Sequence, residues 1–156
     1  MKNYMKLEIA AISENESFAR NAVAAFALSL NPSLSEISDI KTAVSEAVTN
    51  SIVHAYKKQE NNRKIDIECS IEREQTGGVI HIKISDYGCG IEDVEKAVLP
   101  FFTTTNGEER SGMGFTIMQT FMSNFSLRSE KDRGTTVQMS KRINAGIAEE
   151  QERVDA

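Results

Sequence analysis

The chain has no tryptophan, 6% aromatic residues and only two cysteines among its 156 residues. It also has no basic cluster of the kind that neutralises DNA phosphates. With a formal net charge of −5, direct nucleic-acid binding is not expected. No apolar run approaches the roughly 18–20 residues that cross a bilayer, so no membrane contact is expected. The N-terminus lacks the basic-then-apolar pattern of a signal peptide, which makes the cytoplasm the expected compartment. Cys69 and Cys89 have no metal-ligand spacing, and neither calls for an oxidising compartment. Cys69 falls in an alternating pattern and reads as a small core residue. Cys89, between two glycines, reads as a tolerated loop residue and not as a nucleophile. No internal repeat or domain boundary appears.

What remains is ordinary for a soluble globular protein, 40% apolar and 26% charged, and long enough for one domain with its own core. Residues 5–12 alternate weakly through Leu7 and Ile9 and predict a first strand. Ser13 and Glu16 have capping-box spacing. They should open a helix to about Leu30 that buries Phe18, Val23, Phe26 and Leu30, ended by Asn31-Pro32. Ser33 and Glu36 repeat that spacing. Behind them Ile37, Ile40, Val44, Val48, Ile52 and Ala55 recur at three- and four-residue steps, predicting one long helix. Lys64 to Glu72 alternates with Ile65, Ile67, Cys69 and Ile71 inward, and Ile80, Ile82 and Ile84 alternate after the Gly77-Gly78 turn, predicting a hairpin with one wet face. A short helix near 92–98, a long connection over 99–113, a helix over 114–124 and two strands around Asp132-Arg133-Gly134 complete residues 1–143. Residues 144–156 form an acidic tail without periodicity, expected to be disordered. Alternating strands need helices over one face only. The expected fold class is α+β, a two-layer sandwich with helices on one face of a mixed, mostly antiparallel sheet.

Three local patterns carry chemistry. Glu46 and Asn50 lie one helical turn apart, so their side chains project from one face, and His54 extends the stripe. An amide oxygen suits a hard cation such as Mg²⁺, and a carboxylate beside it can orient a hydroxyl for attack on a γ-phosphate. A solvated helix face is the plain alternative, but Thr49, Asn50 and Ser51 are poor helix formers in mid-helix, which asks for another reason. Asp86, Gly88 and Gly90 follow a strand. Either they make only a turn, or Asp86 accepts a hydrogen bond from an amine such as adenine N6 while the glycines let backbone approach the ring. Gly112, Met113 and Gly114 open a helix whose free N–H groups favour phosphate. Arg110 and Ser111 stand just before it, and Arg110 is either a surface arginine or a cation for developing γ-phosphate charge. The polar stretch 101–110 has the length of a lid. Thr135 can meet a base edge or be an ordinary strand residue. No Walker loop or dinucleotide fingerprint is present.

In this order, Glu-x-x-x-Asn on a helix, Asp-x-Gly-x-Gly after a strand, a lid, Gly-x-Gly opening a helix and Gly-Thr before a last strand, the chain resembles the Bergerat-type ATPases of the gyrase, Hsp90, histidine-kinase and MutL superfamily. Ser45 to Asn50 and Glu109 to Met118, with Asn15 to Arg20, look like the serine kinases that double as anti-sigma factors in endospore-forming bacteria. The resemblance runs from about residue 1 to 143. It implies Asn50 as the Mg²⁺ ligand, Glu46 as general base, and Asp86 as adenine reader with Thr135 assisting. Gly88, Gly90, Gly112 and Gly114 would shape the pocket with Ser111 and Met113, and Arg110 would support the γ-phosphate of ATP. It further implies a homodimer that phosphorylates a serine on a small anti-anti-sigma protein and sequesters a sporulation sigma factor. One departure is the lid run Thr105-Asn106, where a Lys-Pro pair is expected. It motivates an alternative, a nucleotide-gated sigma-binding module with little kinase activity. A detached histidine-kinase domain is disfavoured, because no helical hairpin precedes the first strand and neither His54 nor His81 looks like a phosphoacceptor.

Overall fold

Alternating isoleucines build the centre of the sheet. A computed structural model describes residues 2–56, 63–99 and 113–144. In chain order it contains β1 (Asn3–Ala10), α1 (Glu14–Ala27), α2 (Leu34–Asn50), β2 (Lys64–Arg73), β3 (Gly78–Asp86), α3 (Val94–Ala97), α4 (Gly114–Phe121), β4 (Asn124–Glu130) and β5 (Gly134–Ile143). A short 3₁₀ turn, Leu28–Leu30, follows α1, and a π-helical turn, Ser51–Ala55, follows α2. On β2 and β3, Ile65, Ile67, Cys69, Ile71, Ile80, Ile82 and Ile84 are buried. The residues between them, such as Glu68, His81 and Lys83, remain partly exposed on the opposite face.

The strands run in the order β1-β2-β3-β5-β4. All four ladders are antiparallel, where the sequence allowed for a mixed sheet. The last strand therefore sits inside the sheet, with Asp86 of β3 opposite Thr135 of β5. α2 packs between α1 and α4, and Ile40, Val44 and Val48 join the strand isoleucines in one core. This is the two-layer α+β arrangement expected. Lys141 of β5 reaches across the layers, donating to Asp39 at 2.9 Å and to the Phe121 carbonyl at 2.6 Å. Among the described residues, no helix is long and apolar enough to cross a membrane.

Three local expectations are corrected. Ser33 and Glu36 make both bonds of a capping box, but Ser13 makes no side-chain cap. Its backbone is already helical (φ −57°, ψ −33°), which denies the hydroxyl the extended geometry a cap needs. Phe18 is exposed, because α1 turns the Ala19, Val23 and Ala27 stripe to the core instead. Small residues there let α1 approach α2. The long helix is α-helical only to Asn50 and then widens into the π turn. The expected lid, 101–110, lies outside the described residues, and so does the expected tail apart from Asn144.

Candidate functional site

Glu46 and Asn50 project from the last turns of α2 and are both half-buried. The first residue of α4 lies against them. A Cβ placed on Gly114 would come within 3.0 Å of Asn50 Nδ2 and 3.2 Å of Glu46 Oε2. Glycine at this position lets the backbone of α4 close on both side chains. Met113 caps α4 without a side-chain hydrogen bond, so the first amides of the helix have no partner from their cap. A carboxylate, a carboxamide and a helix start are thus gathered at one point, a setting suited to phosphate.

Asp86 ends β3 at the other side of the site and is buried. Its Oδ1 accepts from the amides of Gly88 (3.2 Å) and Thr135 (3.1 Å), and its Oδ2 accepts from Ser51 Oγ at 2.9 Å. Burial pushes its carboxyl above the ordinary carboxylate value, and the three hydrogen bonds oppose that shift. A carboxylate has about four acceptor directions, so one remains for a further donor. Thr135 contributes its backbone amide to Asp86, while its hydroxyl lies 2.9 Å from Ser129 Oγ.

The loop after Asp86 is pinned on two sides. The Ala55 carbonyl, at the end of the π turn, accepts from the Cys89 amide at 2.8 Å. The Tyr56 hydroxyl accepts from the Tyr87 amide (2.8 Å) and donates to the Lys64 carbonyl (2.6 Å). On the β4–β5 side, the Asp132 amide donates to the Cys89 carbonyl at 2.8 Å, and the Ile91 amide donates to Ser129 Oγ at 2.7 Å. Gly88 and Gly90 are needed for this closeness. A Cβ on Gly88 would fall 2.2 Å from the Ala55 carbonyl oxygen, and Gly90 takes φ +71° with the Glu130 carbonyl 2.1 Å from its Cβ position.

The structure thus brings together Glu46, Asn50 and Gly114, and separately Asp86, Gly88 and Thr135, with α2 and its π turn joining the two groups. Gly90 sits where that loop meets the β4–β5 turn, and Met113 immediately precedes α4. Arg110, Ser111 and Gly112 lie outside the described residues. Ser51, Ala55 and Tyr56 were missed as contributors to the site. Ser51 did carry one signal, a poor helix former where a helix should continue. Among the described residues no group of three or more His, Cys, Asp or Glu side chains can hold a metal by itself. A lone amide oxygen such as that of Asn50 fits Mg²⁺ shared with substrate phosphates, since that ion keeps several waters and takes few protein ligands.

A family model described as "Histidine kinase-like ATPase domain" matches residues 9–141. An "Anti-sigma F factor" of Clostridium botulinum (strain Eklund 17B / Type B) is 51% identical over 143 residues, covering 92% of this chain and 96% of that protein. One of Thermoanaerobacter sp. (strain X514) is 52% identical over 143 residues, with the same coverage of 92% and 96%. Among solved structures, a chain with the RsbU and RsbW domains of a Mycobacterium tuberculosis protein superposes with a TM-score of 0.60 over 90% of this chain and 32% of its own. At 16% identity, that likeness concerns the fold alone.

Proposed function

The chain belongs to the histidine kinase-like ATPase domain family, and within it to the group of the anti-sigma F factors; from that premise we propose that it is an ATP-dependent serine kinase acting on a small anti-anti-sigma protein, and that as a homodimer it sequesters a sporulation sigma factor. The observation that carries the kinase reading is the close approach of Gly114 to Glu46 and Asn50, which joins a base, a metal-capable amide and a phosphate-favouring helix start. The compartment in this reading is the cytoplasm.

Each residue then has a task. Asp86 accepts a hydrogen bond from the adenine amine, with Thr135 completing the base edge and Gly88 and Gly90 admitting the ring. Asn50 would hold Mg²⁺, which when bound offsets charge on the β- and γ-phosphates. By the family resemblance, Ser111, Gly112, Met113 and Gly114 would meet the phosphates, and Arg110 would offset the charge that develops on the γ-phosphoryl. Glu46 takes the proton of the attacking serine hydroxyl as its oxygen bonds to the γ-phosphorus. The bond from that phosphorus to the β–γ bridging oxygen breaks, leaving phosphoserine and ADP.

The test is incubation with Mg·ATP and the small anti-anti-sigma partner, read for phosphoserine by mass spectrometry beside Glu46→Gln. Loss of a general base costs on the order of 10²–10⁴ in rate, so phosphoserine should all but vanish in the variant while ATP binding persists. Full transfer by Glu46→Gln would remove Glu46 from the mechanism. A second reading is favoured by the Thr105-Asn106 run in the lid: a nucleotide-gated sigma-binding module. Bound ATP with no phosphate on the partner would select it.

A further inference from the structure

The first residue of the π turn, Ser51, still has helical backbone (φ −63°, ψ −43°) and follows directly on Asn50 at the end of α2. Ser51 is buried, and its hydroxyl donates to Asp86 Oδ2 at 2.9 Å across 35 residues of sequence. The same turn holds the backbone beyond Asp86, through the Ala55 carbonyl to the Cys89 amide and the Tyr56 hydroxyl to the Tyr87 amide. With the chain fixed there, the freedom left to Asp86 is rotation of its carboxylate about the last side-chain bond, a torsion with broad wells. Oδ1 is occupied by two amides, from Gly88 and Thr135. Oδ2 has one donor, Ser51, and one acceptor direction remaining.

We propose that Ser51 is the positioning residue for base selection: its hydroxyl sets the rotation of the Asp86 carboxylate so that the remaining acceptor direction meets a purine 6-amino group. This rests on the reading of Asp86 as the base-contacting residue. A 6-oxo purine presents an acceptor at that point and leaves two acceptors facing each other, and a purine with hydrogen at C6 leaves the carboxylate direction unmet. Without the Ser51 hydroxyl only the two amides on Oδ1 set the carboxylate, Oδ2 loses the donor that aims its remaining acceptor direction, and the amine loses its advantage. The methylene of the side chain and the packing of the turn remain, so contacts to sugar and phosphate persist.

The experiment is calorimetric titration of the full chain and its Ser51→Ala and Ser51→Thr variants with ADP, with purine riboside diphosphate (no 6-amino group) and with IDP (6-oxo). A hydrogen bond to a charged group corresponds to a preference of roughly tenfold to hundredfold for ADP in the parent chain. Ser51→Ala should lose most of that preference through weaker ADP binding, with purine riboside diphosphate held within about twofold, and Ser51→Thr should restore it. An unchanged ADP preference in Ser51→Ala overturns the proposal. So does an equal loss for all three ligands, which marks a purely structural role. Absence of any ADP preference in the parent overturns the reading of Asp86 itself, and the proposal with it. Should Ser51→Ala fail to fold, Ser51→Cys, which keeps the size and weakens the donor, carries the same test.

Discussion

Burial pushes the Cys69 thiol up to about 12, whereas Cys89 is exposed in the loop beside Asp86. The thiolate is the reactive form, so the two should separate cleanly. A thiol reagent such as DTNB should modify Cys89 in the native chain and reach Cys69 only in denaturant, counted by mass spectrometry. Asp86 presents a different balance. Its carboxyl is raised above 3.8, mainly by burial, so the folded state holds that proton more tightly than the unfolded state. Its contribution to stability is greatest below that ordinary value and is lost as pH rises through the folded value. At neutral pH the buried charge is a cost to stability, which the proposed role of Asp86 would account for. Asp86→Asn still offers an oxygen to the two amides and an NH₂ to Ser51. Its melting temperature without nucleotide should equal or exceed the parent's at neutral pH, the difference closing in acid, and ADP should no longer raise it. A large loss of stability at neutral pH would contradict this account.

At the scale of elements, the two capping-box sequences are a matched pair with different outcomes. Ser33 has extended backbone (φ −67°, ψ 164°) and accepts from the Glu36 amide at 3.1 Å. Ser13 has helical backbone, and Glu16 turns instead to Arg20 at 2.8 Å and to Ser45. Ser33→Ala should therefore cost about 1 kcal/mol in urea unfolding and Ser13→Ala close to nothing. Helices and strands were legible because apolar periodicity is a local property: the isoleucines of β2 and β3 and the Ile40, Val44, Val48 ridge read directly. What was not legible depends on partners distant in sequence. Phe18 is exposed because small residues one position on fit α2 better, and nothing in α1 alone reveals that choice. The Glu46–Asn50 spacing announced half of the site, but the role of Ser51 required knowing that Asp86 would arrive beside it. Of the poor helix formers Thr49, Asn50 and Ser51, only Ser51 falls in the π turn, and nothing in the sequence marked the turn itself.

For the whole molecule, a nucleotide held between α2, the loop after β3 and the start of α4 would add the start of α4 to parts already joined by the Ser51–Asp86, Ala55–Cys89 and Tyr56–Tyr87 hydrogen bonds. Nucleotide at about 100 times its dissociation constant should add roughly 2.7 kcal/mol of stability. Glu46→Gln should keep that shift in thermal unfolding even as transfer fails, since the base acts on the incoming hydroxyl and not on nucleotide binding.

The strand order has a consequence for how the protein is made. Thr135, whose amide completes the cradle around Asp86, belongs to the last strand, and that strand lies between β3 and β4 and not at an edge. On the ribosome, β1 to β3 and the helices emerge before β5, so the proposed base pocket lacks one wall until the β4–β5 hairpin docks. Pairings this distant in sequence form late, because the loop between them must be closed first. A nascent chain stalled before Gly134 lacks the Thr135 amide that holds Asp86 Oδ1. On the reading of Asp86 as the base contact, nucleotide is bound only once β5 has been made and has paired with β3.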